Sequence, residues 1–226
     1  MALQPREDEM PSVACFVSAP VVSFRDPRAR EYLETLPVPP PATVYGMLCA
    51  VVGEANRLVH QGSELAVGVI TAGTRSRVLR TSWRVKGLRE LPGLGENKRP
   101  DYQELLISIR LAVHVRSGDG EDGPSLADLV HDALRDPGSV DRFGGLSLGE
   151  STHLVDELRL LRSEDLPEPG VLEWLVQDPA GTLALPVWPD HVGSRGTRYG
   201  QFSLLPARDA LIPPPEAWVA IAPSIA

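Results

Sequence analysis

Cysteine and lysine are almost missing from this chain of 226 residues, which holds only Cys15 and Cys49 of the one and Lys86 and Lys98 of the other. Two cysteines with no CxxC pair exclude a disulfide-stapled secreted framework and a thiolate metal site, so a reducing, cytoplasmic setting is expected. Twenty of the 22 basic residues are therefore arginine. That bias reflects either a GC-rich genome or selection for planar, bidentate phosphate contacts, and composition does not separate the two. No apolar run reaches the 18 or so residues of a membrane span, and the N-terminus carries Glu7, Asp8 and Glu9 where a signal peptide would be basic and then apolar. Enzyme signatures are missing too: there is no GxxxxGK[ST] and no HExxH, and GLGENK (93–98) lacks the third glycine of a dinucleotide site. The histidines are scattered, none at ligand spacing from another, so no metal and no cofactor is expected. Net charge is −8, from 22 basic against 30 acidic side chains, which taken alone speaks against a nucleic-acid partner.

Apolar residues make up 42% of the chain, enough for a packed core despite 22 prolines and 20 glycines. Val13 to Val22 reads as a buried first strand. After a charged loop, Pro37, Pro39, Pro40 and Pro41 force an extended approach to a helix with Thr43 as its expected N-cap. Val44, Met47, Leu48, Val51, Val52, Ala55, Leu58 and Val59 continue one helical face for about four turns. Leu65–Thr71 is a second strand. Arg75–Arg89 and Glu104–Arg116 read as the arms of a long hairpin, and a second helix spans Leu126–Leu134 behind a Ser125 cap. A glycine-rich turn follows, then an apolar strand and three short strand-like pieces near 171–176, 182–188 and 201–205. The order matches an α+β, ferredoxin-like (RRM-like) β-α-β-β-α-β unit over residues 10–165, with an enlarged hairpin at 75–116 and a small C-terminal β extension at 166–226.

Charge is concentrated in that hairpin. Between Arg75 and Arg99 lie eight cations (Arg75, Arg77, Arg80, Arg84, Lys86, Arg89, Lys98, Arg99) against Glu90 and Glu96, a local balance of +6 that leaves −14 for the rest. Strand alternation places Arg75, Arg77 and Trp83 on one face and Arg80, Arg84 and Lys86 on the other. Guanidinium groups pair with phosphates and an indole is a platform for unpaired bases. The bland alternative is a solvated hairpin whose arginines pair with acidic groups elsewhere. Two further anion sites are the free N–H groups at the start of the proline-led helix, near Thr43, Tyr45 and Gly46, and the stretch Arg142-Phe143-Gly144-Gly145 with Ser151 and His153 beyond it. The same stretch holds G-L-S-L-G (145–149), the spacing of a serine-hydrolase elbow, with Asp178 or Asp190 and then His191 in the order Ser, Asp, His. No apolar strand precedes it, so a hydrolase is a remote alternative.

FRDPRAREYLETLPVPPPATVYGMLCAVVG (24–53), above all its P-P-P-A-T-V-Y-G-M-L entry to the helix, together with RFGGLSLGESTHLVDEL from Arg142, resembles the Cas-five family of CRISPR-associated proteins in the RAMP superfamily, most closely its Dev-type myxobacterial branch. The resemblance covers roughly residues 10 to 165. It implies an RNA-binding subunit of a type I Cascade complex in antiviral defence. Such a subunit grips the 5′ handle of the crRNA, caps the filament of backbone subunits, touches the large subunit, and meets target DNA indirectly; no membrane is involved. Thr43 to Gly46, Arg25 and Arg142 to Gly145 would line the handle site, with Ser151 and His153 beside it, and the basic hairpin would be a thumb that splays a nucleotide. One subtype instead cuts precursor crRNA without metal by activating a ribose 2′-hydroxyl. Here that alternative would fall to Tyr45, with His114 or Lys98 assisting.

Overall fold

A computed structural model describes residues 12–29, 32–83, 86–121, 123–166, 172–189, 196–207, 209 and 211–223. In chain order these give β1 (Ser12–Val22), α1 (Pro41–Val51), β2 (Glu64–Thr71), β3 (Thr74–Trp83), β4 (Lys98–Arg116), α2 (Leu126–Arg135), β5 (Glu157–Leu160), β6 (Glu173–Gln177), β7 (Leu183–Trp188), β8 (Arg198–Pro206) and β9 (Val219–Ala220). The fold is mixed and sheet-rich. Its strands pair antiparallel in the order β5-β1-β4-β2-β6-β8-β7, with β3 continuing along β4 and β9 lying on β2. The C-terminal strands thus extend the same sheet through Gly68↔Trp174, and Leu185, Trp188 and Phe202 share one core with Val17, Leu48 and Leu111.

Period-two patterning explains the central strands. In β2, Leu65, Val67 and Val69 face the helices, while Ala66 and Gly68 face the other way. In β4, Ile109, Leu111, Val113 and Val115 join the helix-side core and Ala112 the opposite one. The far face is small because Trp174 lies on it: a methyl on Gly68 would sit 3.0 Å from the Trp174 ring. His114 occupies this face, edge-on to Trp174 and Trp218 with ring centroids 5.4 and 6.4 Å away, and neither ring nitrogen has a hydrogen-bond partner. Burial pushes its pKa down from 6.5 to about 4.

Both ends of α1 differ from the sequence expectation. The helix begins at Pro41 behind Pro40, not at a Thr43 cap, because a proline fits the first helical position, where no N–H partner is needed. It ends after three turns, not four. Gly53 takes φ 75°, its N–H donates to the Ala50 carbonyl and that of Glu54 to Cys49, which is a Schellman closure. A Cβ at Gly53 would stand 2.4 Å from the Asp141 carbonyl, so tertiary contact enforces the stop, and Leu58 is left exposed. α2 begins as expected, with Ser125 Oγ accepting from the Asp128 N–H at 3.1 Å.

The long hairpin is present, with different limits. β2 and β3 run in succession along one partner, β4, which kinks at Ser108 (φ 64°) where one ends and the other begins. Beyond that kink β3 and β4 project as a ribbon from Thr74↔Ile107 out to Trp83↔Lys98. Its tip is organised by buried Asn97. The Asn97 amide oxygen accepts from the N–H groups of Lys86 and Gly87, and its NH2 donates to the carbonyls of Gly87 and Glu90.

Candidate nucleic-acid interface

A cleft of about 470 Å³ opens where α1, the end of β1, the end of β7 and the glycine-rich loop meet. Its floor is one face of α1. Ala42, Gly46 and Ala50 are spaced four apart, so they stack on one side of the helix, with Thr43 and Met47 beside them. Small side chains leave this floor low, and a methyl on Gly46 would meet nothing within 4 Å. Ser23 and Arg25 form one rim, Ser147, Gly149 and Glu150 another, and Pro186, Trp188 and Pro189 the far wall. Gly149 (φ 94°) lets the loop close on β1, where a Cβ would lie 2.5 Å from the Ser23 carbonyl.

Tyr45 lines this cleft but is only 2% exposed. Its hydroxyl donates to the Arg57 carbonyl at 2.5 Å, its ring lies 6.2 Å from Trp188, and burial holds its pKa well above the usual tyrosine range. The phenol is therefore a packing group, with its proton already committed. Arg57 stacks on Trp188 at 4.4 Å and donates to the Pro189 carbonyl. Neither Arg57 nor Trp188 is singled out by the sequence, because they lie some 130 residues apart and nothing local pairs them.

The helix N-terminus offers fewer donors than expected. Pro41 has no N–H, and the N–H groups of Thr43 and Val44 both reach the Pro40 carbonyl, which leaves Ala42 as the open first-turn donor. His153 also differs: its Nδ1 accepts from the Ser23 N–H at 3.1 Å, fixing the loop to β1, and burial lowers its pKa despite the nearby Glu150. Arg142, Phe143 and Gly144 stand in solvent, with Phe143 fully exposed, and Gly145 packs on Leu154.

The cleft continues past Arg25 and Glu150 onto the thumb, where Arg80, Ser82, Arg99 and Asp101 lie together with Ser151 and Thr152. Arg80 donates to Glu150 at 3.1 Å and to the Gln103 amide oxygen at 2.5 Å, and Gln103 donates to Glu150 at 2.8 Å. Arg99 pairs with Asp101 at 3.3 Å. Arg75 and Arg77 lie on the opposite face, both on the buried carboxylate of Glu104, at 3.0 and 3.2 Å. The alternation is as expected, and Arg75, Arg77, Arg80 and Arg99 all have acidic partners, but Glu104 and Asp101 belong to the hairpin itself and only Glu150 lies elsewhere. Trp83 and Lys98 are near the tip, Lys86 is at the tip itself, and Arg84 falls outside the described residues.

The three residues named for a nuclease are not brought together. His114 is buried under Trp174, and Lys98 is sixteen residues away on the same extended strand, roughly 50 Å at 3.3 Å per residue. The hydrolase elbow is also not formed. Residues 140–146 make no strand, Ser147 bridges to Leu154 in a turn, and Asp178 is bonded to Ser203 and the Ala180 N–H. Asp190 and His191 lie outside the described residues. Among the described residues no group of three metal-ligating side chains forms, and no helix is long and apolar enough to cross a membrane. Burial pushes the thiols of Cys15 and Cys49 up, to about 12 and about 11.

Residues 13–208 match the family model described as CRISPR-associated protein (Cas_Cas5). The chain belongs to the Cas5 family. It is 50% identical over 188 residues to the CRISPR-associated protein Cas5 of Myxococcus xanthus (strain DK1622), covering 83% of this chain and 87% of that one. A chain of a solved CRISPR RNA-guided surveillance complex superposes with a TM-score of 0.63 over 87% of this chain and 90% of its own length. At 18% identity that likeness is one of fold. This Cas5-family chain keeps the cleft between the proline-led helix and the glycine-rich loop inside the matched region.

Proposed function

We propose that this Cas5-family chain holds the 5′ handle of a CRISPR RNA in the α1 cleft, as a non-catalytic subunit of a type I Cascade complex in antiviral defence. Capping of the backbone-subunit filament, contact with the large subunit, and indirect contact with target DNA belong to the same reading. The observation that carries it is the convergence of Arg25, the small-residue face of α1 and the 147–150 loop on one cleft that runs onto the arginines of the thumb. A floor without side-chain bulk lets a sugar-phosphate backbone approach the helix, while Arg25 and Ser147 offer donors. The strand order β5-β1-β4-β2, with α1 after β1 and α2 before β5, supports the ferredoxin-like reading of residues 10–165.

The absence of catalysis is supported by Tyr45, whose proton is donated to Arg57 and whose ring is covered. Co-expression with backbone and large subunits and a CRISPR array tests the reading. The complex should carry RNA with one common 5′ end, and Gly46→Trp, whose Cβ meets nothing within 4 Å and whose ring fills the cleft, should abolish that end's protection. RNA with random ends, or a Gly46→Trp complex like wild type, would sink it. Incubation with repeat RNA in EDTA should give no cleavage; specific cleavage lost in Tyr45→Phe would replace this reading with the nuclease.

A further inference from the structure

The far wall of the α1 cleft is built around a fixed cation. Past the Gly53 stop, the Glu54 carboxylate accepts from the Asn56 N–H at 2.5 Å and the Asn56 amide oxygen from the Leu58 N–H at 3.1 Å, two local turns that hold Arg57 between them. The Tyr45 hydroxyl donates to the Arg57 carbonyl, so the backbone is pinned from α1 as well. The side chain is held too. Its guanidinium donates to the Pro189 carbonyl and lies 4.4 Å from the Trp188 ring centroid, and the Tyr45 ring stands 6.2 Å from the same indole. The rings that line the cleft, Phe24, Tyr45 and Trp188, are each at most 4% exposed, so the planar group a ligand meets there is the Arg57 guanidinium. Among the described residues lining the cleft the charged ones are Arg25, Arg57 and Glu150, and Glu150 is already bonded to Arg80 and Gln103.

We propose that Arg57 is a specificity-determining residue of the cleft, its guanidinium, backed by Trp188, being the platform on which one unpaired base of the bound RNA stacks. The inference rests on the cleft reading and adds to it the group that meets a base. The floor of Ala42, Gly46 and Ala50 suits a sugar-phosphate chain, and contacts of that kind position a strand without selecting a base. An unstacked base needs a flat partner, and arginine planes serve single-stranded RNA in that role as aromatic rings do. At about 470 Å³ the cleft is of the size that encloses a small ligand, which gives room for one splayed base. Because the stack on Trp188 is formed before binding, little side-chain freedom is lost when the base arrives. Lysine carries the same charge without the plane, so stacking on Arg57 is separable from simple attraction to phosphate.

One set of titrations tests the platform and keeps it apart from the cleft reading. Repeat RNA, and copies of it that each carry one abasic site in the 5′ handle, are titrated against the full-length wild type, Arg57→Lys, Arg57→Ala and Gly46→Trp, with melting temperatures recorded. Removal of the base at one handle position should cost the wild type on the order of tenfold in affinity. Arg57→Lys should lose about as much on intact RNA as Arg57→Ala does, and the copy abasic at that position should bind wild type and Arg57→Lys alike. Arg57→Lys that binds intact RNA like wild type would overturn the platform, and if its melting temperature alone had fallen, Arg57 would be a strut between the 54–60 loop and the end of β7. A handle in which no abasic position costs the wild type affinity, or a penalty that persists undiminished in Arg57→Lys, would overturn it too. In each of these cases a loss of binding in Gly46→Trp would leave the cleft reading standing. Gly46→Trp that binds repeat RNA like wild type would remove the cleft reading and this inference with it.

Discussion

The two halves of β4 are one continuous strand under different physical rules. From Leu111 to Val115 it is hydrogen-bonded on both edges, to β1 and β2, and buried on both faces. From Lys98 to Leu105 its main partner is β3, and solvent reaches most side chains. Hydrophobic burial specifies the inner half. Cross-strand charge pairs and one buried carboxylate specify the outer half, which leaves its cations and rings available to a ligand. The same contrast recurs at the cleft, where a rigid floor from the inner core supports a rim of exposed polar groups.

Matched truncations should show the contrast most strongly. Leu111→Ala, in the inner core, should lower unfolding free energy by about 2–5 kcal/mol in urea titration, while Leu79→Ala on the thumb should stay within about 0.5 kcal/mol. Equal losses would mean that the thumb is part of the core. Next comes acid sensitivity. His114 has a depressed folded pKa near 4, so between about pH 6.5 and pH 4 the unfolded chain binds more protons than the folded one and stability falls as pH drops. The loss should approach about 3 kcal/mol at pH 4, and His114→Phe should remove most of it. A pH profile unchanged by His114→Phe would place that loss elsewhere.

Smaller effects probe the outer half. Glu104→Gln should destabilise by about 1–2 kcal/mol, since it weakens charge-assisted bonds to two arginines that can turn to water. A larger loss, of core size, would mean that the joint between the halves is itself core. The smallest change is on the cleft rim. Glu150→Gln removes an anion from beside Arg25 and Arg80, so repeat-RNA affinity should rise a few-fold at low salt. Weaker binding would make Glu150 a required support for the rim.

The inner half was legible because its residues repeat every second position and its apolar content admits one solution. Three of the four C-terminal strands, β6 to β8, were visible as short apolar pieces, while the two-residue β9 was not. α1 was misjudged at both ends, since Val52, Ala55, Leu58 and Val59 prolong the helical period that Gly53 breaks, and Thr43 is a good cap overruled by Pro40 and Pro41. The cleft was half legible. Proline-led helix, Arg25 and glycine-rich loop could each be named, but Trp188 and Arg57 meet only through tertiary folding. Glu104 became visible as the partner of Arg77 once register was known, and Glu150 lies in another segment altogether.

Photocrosslinking tests the central claim most directly. Repeat RNA carrying 4-thiouridine through its 5′ handle would be crosslinked to the full-length chain and the adducts mapped by mass spectrometry. Adducts are predicted in peptides containing Ser23 to Arg25, Ala42 to Met47 and Ser147 to Ser151. Handle adducts confined to the thumb tip, with none in those three segments, would contradict it.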